Sequence, residues 1–350
     1  MLTAASLHMG GLDTTGTVNG GAAAAPTVPA VYGFDAHLSR VFPSQVIVDV
    51  TECCNLACTH CPHPSFKRSP HYEGRMLDAA LVSKAIGEIA TVGAGVVQHV
   101  RFTSEGEPLL HRHITDMLSE AVTRSGTFVS LTTNGALLTA ARAERLLATG
   151  VHLVDISIDA ASAETYARIR VGGRLEVTRE NVVRLLARTR ASGAPTRIVV
   201  SYVEQPANRH ETAEFERFWR GVGADAVVIR RQHSAAGAVI PVARVMRERV
   251  APLARRPCVY PWERIVLNPR GMLCFCPADW THGSSMVDFR TVTIQETWRG
   301  PFYEALRAAH VSNDFDRHPF CGQCPDWQET RWPHEGSSYA TLVTRLREHA

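Results

Sequence analysis

The chain has 350 residues, 45% of them apolar, so it can bury a large core as one α/β barrel domain or as a barrel with a smaller module. Its formal net charge of +3 is small for this length and predicts neither a nucleic-acid partner nor a membrane partner. No signal-like segment opens the chain, and no apolar run approaches the roughly 18 residues of a membrane span.

Residues 1–44 are rich in Gly, Ala and Thr, and we expect a flexible leader there. Short apolar runs then alternate with helical patterns, which is typical of a parallel sheet built from βαβ units. Strands are predicted at 46–50, 98–104, 128–133, 153–159, 197–203 and 225–231. Helices are predicted at 77–92, 111–124 and 211–221, with one more helix that ends at 148 and further helices that end at about 190. Together they predict an α/β fold, a partial (β/α)6 TIM-like barrel over residues 45–257, with reactive groups at the carboxyl ends of its strands.

Beyond residue 257 the alternation stops. The run RIVLNPRGMLCFC, residues 264–276, predicts a β-hairpin that turns at 268–271, with proline at the second turn position and glycine at the fourth. A short helix is predicted at 339–348. We therefore expect a separate, hairpin-containing module over residues 258–350.

Nine cysteines lie in clumps rather than in the even scatter of a disulfide framework, which favours metal binding in the reducing cytoplasm. Cys54, Cys58 and Cys61 follow the first predicted barrel strand. Their spacing can hold three irons of a four-iron cluster and leave the fourth open to a small molecule. The alternative is a zinc knuckle or a redox pair, although tetrahedral zinc takes four ligands and more often uses CxxC pairs.

The run CNLACTHC, residues 54–61, resembles the cluster motif of the radical S-adenosylmethionine (radical SAM) enzymes. This resemblance implies a [4Fe–4S] cluster whose open iron is chelated by SAM, and reductive cleavage of SAM to methionine and a 5′-deoxyadenosyl radical. It also implies an external one-electron reductant such as flavodoxin or ferredoxin.

Other segments resemble the same family in order and spacing. Residues 105–108, EGEP, resemble the GGEP motif that bonds the SAM amino group, with glutamate in place of the first glycine, and TNG at 133–135 ends the third strand as in many members. Residues 157–170 resemble the segment in which a serine and an arginine hold the SAM carboxylate, and a histidine replaces the aromatic residue that meets the adenine. Taken singly, such residues would more often be turn, capping or surface residues. The SAM-binding residues implied are His60, Gly106, Glu107, Asn134, Ser157 and Arg170.

The second cysteine group resembles the C-terminal twitch module, a short form of the SPASM domain. Cys258, Gly271 and Cys276 meet its C-x12-G-x4-C pattern, and a C-x2-C pair follows. The resemblance implies one auxiliary [4Fe–4S] cluster, and the same thiolates could alternatively form a structural zinc site. The ligands implied are Cys258, Cys276, Cys321 and Cys324.

Cys274 lies two residues before Cys276, so both would point to the same face of one strand. Three roles stay open for Cys274: a bystander, a replacement cluster ligand, or a thiol that faces the substrate.

A single-cluster twitch tail on a compact barrel resembles the aminocyclitol- and aminoglycoside-tailoring members, such as the 2-deoxy-scyllo-inosamine dehydrogenases. This implies oxidation of a secondary alcohol of a sugar or aminocyclitol in antibiotic biosynthesis, with the auxiliary cluster as electron acceptor. The first alternative is a sugar epimerase that uses Cys274 as hydrogen donor. The next alternative is a peptide-maturing enzyme, which the short leader disfavours. The last is a non-catalytic zinc-binding module.

Alcohol oxidation calls for a base that removes the hydroxyl proton. Candidates follow the fifth and sixth predicted strands, and each is also a plausible surface or ion-pair residue. They are Glu204, Arg230, Arg231 and His233.

Overall fold

The computed structural model describes residues 6–8, 32–34, 38–103, 105–251 and 253–335. Strands in these residues form one mixed sheet, in the spatial order β1-β7-β6-β5-β4-β3-β2-β8-β9-β10. Their bounds are Ser6–His8 for β1, Gln45–Asp49 for β2, His99–Thr103 for β3, Phe128–Thr133 for β4, Leu153–Ser157 for β5, Arg197–Glu204 for β6, Ala226–Arg231 for β7, Arg264–Leu267 for β8, Met272–Cys274 for β9 and Ser285–Asp288 for β10.

Helices follow most of the barrel strands and continue into the C-terminal part. Their bounds are His63–Phe66 for α1, Ala79–Thr91 for α2, Ile114–Arg124 for α3, Ala140–Ala148 for α4, Ala163–Ile169 for α5, Leu175–Ser192 for α6, Thr212–Val222 for α7, Ile240–Val250 for α8, Tyr260–Glu263 for α9, Ile294–Arg299 for α10, Pro301–Ser312 for α11 and Pro319–Gln323 for α12. In the part of the chain described, none of these helices is long and apolar enough to cross a membrane.

The barrel consists of β2 to β7, which pair in parallel in sequence order. Each barrel strand is connected to the next through helical segments, and the predicted partial (β/α)6 barrel is therefore confirmed. The six predicted strands overlap these six observed ones, because each is a short apolar run between helical patterns.

The two faces of the barrel sheet differ in chemistry. Outward-facing residues such as Val46 and Val48 of β2 pack with helix residues in the main apolar core. The opposite, inner face carries polar side chains at the same period of two along the strands. Arg101 of β3, for example, donates from Nη2 to Thr132 Oγ1 of β4 at 3.1 Å. The inside of this barrel therefore carries polar side chains beside apolar ones such as Ile47, whereas its outer layer is apolar.

The predicted hairpin is confirmed in the C-terminal part. β8 joins the barrel edge in parallel with β2, and β9 returns antiparallel to β8. Asn268 Oδ1 accepts from the backbone N–H groups of Arg270 and Met272, at 3.1 and 3.0 Å, and Gly271 takes the left-handed φ of 80° that closes the turn. The predicted helix at 339–348 lies outside the described residues.

Most of the expected leader, residues 1–44, also lies outside the described residues. Its described parts contact the rest of the fold. Ser6–His8 pair in parallel with β7 at the sheet edge, and the Tyr32 ring lies 5.2 Å from the ring of Trp332.

Candidate active site

The first cysteine group lies in the loop at the carboxyl end of β2. The loop is held against the end of α5 and the residues just after it, where Thr59 N–H donates to Ile169 O and Ala57 N–H to Val171 O, both at 2.9 Å. Backbone amides also point at two of the sulfurs: Leu56 N–H donates to Cys54 Sγ at 3.5 Å and His63 N–H to Cys61 Sγ at 3.4 Å. The loop conformation thus depends on α5 as well as on β2.

The three thiols lie close enough to affect one another's ionisation. Burial raises the pKa of Cys54 to about 11 and that of Cys61 to about 12, and the neighbouring Cys58 adds to both effects. Thiols placed together in this way are costly as bare thiolates, and a bound metal removes that cost by replacing their protons. The donor set therefore fits an iron–sulfur cluster.

Gly106 allows the loop after β3 to lie directly on the cysteine loop. A Cβ atom at Gly106 would stand 1.9 Å from the carbonyl oxygen of Cys53. Gly106 N–H donates to Thr51 O at 3.0 Å, and Glu107 N–H donates to Cys53 O at 2.7 Å. The glycine is required here by close backbone approach, since any larger residue would separate the two loops.

Glu107 is buried at the centre of the site, and burial raises its pKa. Its Oε1 accepts from Thr133 Oγ1 at 2.6 Å and its Oε2 accepts from Asn134 N–H at 2.8 Å. Asn134 in turn donates from Nδ2 to Asn55 Oδ1 in the cysteine loop, at 2.9 Å. The predicted residues Glu107 and Asn134 therefore form one network with the cysteine loop.

Arg170 follows α5 and is buried. Its Nη2 lies 2.5 Å from Asp159 Oδ2, and its Nη1 donates to Cys58 Sγ at 3.7 Å. Its Nε is buried and has no hydrogen-bond partner in the described residues. A buried guanidinium N–H with no acceptor fits a carboxylate ligand, and this observation supports SAM at the site.

His60 and Ser157 lie on the same side of the barrel. The His60 Nε2 is 3.4 Å from Asp159 Oδ2, and its Nδ1 is 3.5 Å from Gln205 Nε2. Burial lowers the pKa of His60 to about 4, so the ring is neutral at physiological pH. Ser157 ends β5, two residues after Asp155, and so shares its inner face.

The inner face of the barrel carries an ion pair that joins β5 to β7. Arg230 Nη2 donates to Asp155 Oδ2 at 2.7 Å, and Ser201 Oγ donates to Asp155 Oδ1. Arg230 is therefore the base candidate that points into the barrel.

The other base candidates lie elsewhere. Glu204 Oε2 accepts from Thr212 Oγ1 of α7 at 2.9 Å, on the helix side of the sheet. Arg231 and His233 are exposed. His233 Nδ1 accepts from Ala235 N–H at 3.0 Å, and this ring is close enough to His60 to contribute to its lowered pKa.

Cys274 and Cys276 do not share a face, contrary to the prediction, because β9 ends at Cys274. Cys274 is buried with Ile47 and Val266 on the inner face of the sheet, whereas Cys276 packs against the main apolar core. Burial, with the acids Asp279, Glu105 and Asp49 nearby, raises the pKa of Cys274 to about 12.

The four predicted auxiliary ligands converge from separate elements. Cys258 precedes α9, Cys276 follows β9, and Cys321 and Cys324 lie in and just after α12. Burial raises the pKa of Cys276 well above its ordinary value, and the three other thiols add to this rise. Within the described residues, no three His, Cys, Asp or Glu side chains stand close enough to chelate one metal ion. A four-iron cluster needs a wider spacing of its cysteine ligands than a single metal ion does, because the ligands lie around the whole cluster.

Two residues with clear roles in this geometry were not predicted from the sequence, Asp155 and Asp159. Asp159 has a left-handed φ of 66°, its Oδ1 accepts from Val203 N–H at 2.7 Å, and its Oδ2 pairs with Arg170. The run LVDISID carried a signal for Asp155, because the period of two places it on the same face as Ser157. The left-handed conformation of Asp159 had no comparable signal.

Comparison with protein-family models separates the same two parts of the chain. Residues 48–215 match the radical SAM superfamily, and residues 258–325 match SPASM, an iron–sulfur cluster-binding domain. The predicted cofactors, a [4Fe–4S] cluster with SAM and an auxiliary [4Fe–4S] cluster, agree with these two matches.

Similar proteins differ in what they do. The GTP 3′,8-cyclase of Chlorobaculum tepidum is 35% identical over 143 residues, which are 41% of this chain and 41% of the cyclase, so the chain spans less than half of that relative. The structure of BtrN in complex with AdoMet and 2-DOIA has a TM-score of 0.53 at 17% identity and covers 80% of this chain and 92% of BtrN. SuiB of Streptococcus suis, bound to its precursor peptide SuiA, has a TM-score of 0.59 at 14% identity, with 87% and 73% covered. At these identities the two structures show a shared fold.

Proposed function

Since this chain combines a radical SAM domain with a SPASM iron–sulfur domain, we propose that it oxidises a secondary alcohol of a sugar or aminocyclitol to a ketone, in antibiotic biosynthesis. The cluster and SAM, when bound, supply a 5′-deoxyadenosyl radical that abstracts a hydrogen atom from carbon. The residues of this chain bind SAM and the substrate, and they handle the proton of the hydroxyl group.

The observation that carries this proposal is the group of polar side chains on the inner face of the barrel. Arg101 and Thr132 are hydrogen-bonded to each other there, and Asp155 binds both Arg230 and Ser201. Side chains that donate and accept in a barrel interior suit a ligand rich in hydroxyl groups, because each buried hydroxyl needs a partner.

Asp155 is the group best placed to accept the hydroxyl proton. It is fully buried on the inner face, and its partner Arg230 stays protonated, so within this pair the carboxylate is the base. Arg230 then orients the carboxylate and balances its charge before the proton arrives. Removal of the proton makes the substrate radical a stronger reductant and favours oxidation over return of the hydrogen atom.

The auxiliary site supports oxidation for a separate reason. Converting an alcohol to a ketone releases two hydrogen nuclei and two electrons, and the hydrogen atom taken by the radical accounts for one of each. The proton goes to the base, and the second electron needs an acceptor. The second cysteine group offers a site for that acceptor within the same chain.

One observation favours a second candidate, sugar epimerisation. Cys274 lies buried on the inner face of the sheet, and its raised pKa keeps the thiol protonated at physiological pH. Only the protonated thiol can return a hydrogen atom to a substrate radical. Cys274 would then act on the opposite face of the substrate carbon.

Candidate aminocyclitols and sugars, deuterated at single carbinol carbons and incubated anaerobically with SAM and dithionite, test both functions. We expect deuterium in 5′-deoxyadenosine and a ketone product, and both should persist in the Cys274→Ala variant. If the parent protein instead forms an epimer, and Cys274→Ala still transfers deuterium but no longer forms that epimer, the reaction is epimerisation and not oxidation.

The role of Asp155 is tested in the same assay. We expect Asp155→Asn to lower ketone formation by about 100-fold or more, the usual contribution of a general base. Asp225→Asn is the matched control, because Asp225 pairs with Arg197 on β6 at the opposite end of the barrel strands. Equal ketone formation in both variants would remove Asp155 from the reaction.

A further inference from the structure

Arg255 is fixed against the auxiliary cysteines by three contacts. Its Nη2 donates to Cys321 O at 2.6 Å and its Nη1 donates to Gly322 O at 3.0 Å. The guanidinium carbon lies 4.2 Å from the ring centre of Phe315. These contacts hold a planar cation on the backbone of the Cys321–Cys324 loop.

In the part of the chain that the structure describes, no carboxylate forms an ion pair with Arg255. In the described residues its only polar contacts are the two carbonyls, and its buried Nε has no hydrogen-bond partner. Cys324, Cys321 and Cys258 are all close enough to interact with its charge, as the pKa of Arg255 reflects, although burial lowers that pKa overall. Three of the four auxiliary thiols are therefore among the ionisable groups nearest to this cation.

We propose that Arg255 is a positioning residue that raises the reduction potential of the auxiliary cluster and so suits it to accept an electron. Adding one electron to a cluster adds one negative charge, and a fixed positive charge nearby stabilises that reduced form. Net charge and hydrogen bonding around the ligands are among the features that set cluster potentials. Nothing at Arg255 needs to titrate, because an arginine side chain stays protonated.

The surface beside Arg255 offers a matched control. A cleft of about 490 Å³ is lined by Arg247, Arg255, Cys324 and Trp327 among others. Arg247 is exposed, and its Nη2 makes a long, 3.5 Å contact with Gln323 O. It carries the same charge as Arg255 in the same cleft, but water screens it from the cysteines.

The test is a potentiometric titration of the auxiliary cluster, monitored by electron paramagnetic resonance. The full-length chain carries Cys54→Ala, Cys58→Ala and Cys61→Ala, so that only the auxiliary cluster contributes to the signal. Arg255→Gln, Arg255→Lys and Arg247→Gln are compared in that background, each with its iron content measured. The titration contains no substrate, so its result is independent of the proposed oxidation.

We expect Arg255→Gln to disfavour reduction at least tenfold, a potential lower by about 59 mV for one electron, while Arg247→Gln has a much smaller effect. Arg255→Lys should stay near the parent potential, since it keeps the charge and loses the paired hydrogen bonds. Equal shifts in Arg255→Gln and Arg247→Gln, or an unchanged potential in Arg255→Gln with full iron, would overturn the inference. An equal drop in reduction potential in Arg255→Gln and Arg255→Lys would also overturn the inference, because the hydrogen bonds and not the charge would then set the potential.

Discussion

At the scale of single residues, Gly106 sets how closely two loops of the site can approach. Its Cα faces the backbone of Cys53, and an added Cβ would meet the Cys53 carbonyl oxygen at 1.9 Å and its carbon at 2.5 Å. Backbone atoms cannot move aside as a flexible side chain can, so a substitution here displaces the cysteine loop itself.

We expect Gly106→Ala to lose most of its first-site iron while it keeps the auxiliary iron. Iron per chain after anaerobic reconstitution should fall from about eight to about four, and SAM binding should fall with it. Gly221→Ala is the control, because a Cβ atom added at Gly221 in α7 would have nothing within 4 Å. Full iron and normal SAM binding in Gly106→Ala would contradict the role given to this glycine.

Arg170 combines charge with a fixed fork of donors. One nitrogen pairs with Asp159, one donates to Cys58, and Nε lacks a partner in the described residues. A lysine at this position could not serve all of these directions at once. We expect Arg170→Lys to bind SAM at least about tenfold more weakly, or about 1.4 kcal/mol, in equilibrium dialysis of the reconstituted protein.

Arg168→Lys controls for that prediction, since Arg168 is an exposed residue in the last turn of α5. Unchanged SAM affinity in Arg170→Lys, or an equal loss in both variants, would remove Arg170 from the SAM site.

At the scale of elements, the start of α7 positions α5. Glu211, at the N-cap of α7, accepts from the backbone N–H of Ala161 at 2.7 Å and from Thr165 Oγ1 at 2.6 Å. It also accepts from Ser162 Oγ at 2.5 Å. One buried carboxylate thus holds the start of α5, the helix that Arg170 follows.

These hydrogen bonds lower the pKa of Glu211 although burial opposes them. A lowered pKa in the folded state means that the carboxylate stabilises the fold above the ordinary glutamate pKa of 4.5, and that this contribution is lost as pH falls through the folded-state pKa. We expect Glu211→Gln to lower the free energy of unfolding by about 1.5–3 kcal/mol at pH 7, measured with urea. The difference in unfolding free energy between Glu211→Gln and the parent protein should become smaller as the pH falls below 4.5.

Glu214→Gln, a change at an exposed residue in the first turn of the same helix, is the control and should have little effect at either pH. If the loss of unfolding free energy in Glu211→Gln stays constant between pH 7 and the acid range, the ionised carboxylate is not what holds α5.

Prediction from the sequence succeeded where one local pattern was sufficient. The apolar period identified β2 to β7, and the turn residues Pro269 and Gly271 identified the hairpin. It failed where the chain departs from a regular pattern. The end of β9 at Cys274 reversed the expected face of Cys276, and the left-handed turn at Asp159 depends on Val203 and Arg170, which are distant in sequence.

At the scale of the whole molecule, the barrel and the C-terminal part share one sheet, because β8 continues the barrel edge beside β2. The first cysteine loop follows β2, and the strand pair that carries Cys274 begins at β8. Glu52, next to the cysteine loop, also lies 3.3 Å from Arg270 Nε in the hairpin turn. The first cysteine loop and the strand pair that carries Cys274 are therefore built on neighbouring strands, β2 and β8.

Anaerobic reconstitution with iron and sulfide, followed by addition of dithionite and SAM, tests the central claim most directly. The account predicts about eight irons per chain and formation of 5′-deoxyadenosine. Removing Cys321 and Cys324 should leave about four irons and SAM cleavage intact, whereas removing Cys54, Cys58 and Cys61 should abolish cleavage. A colourless protein that holds about two zinc ions and no iron would contradict the account.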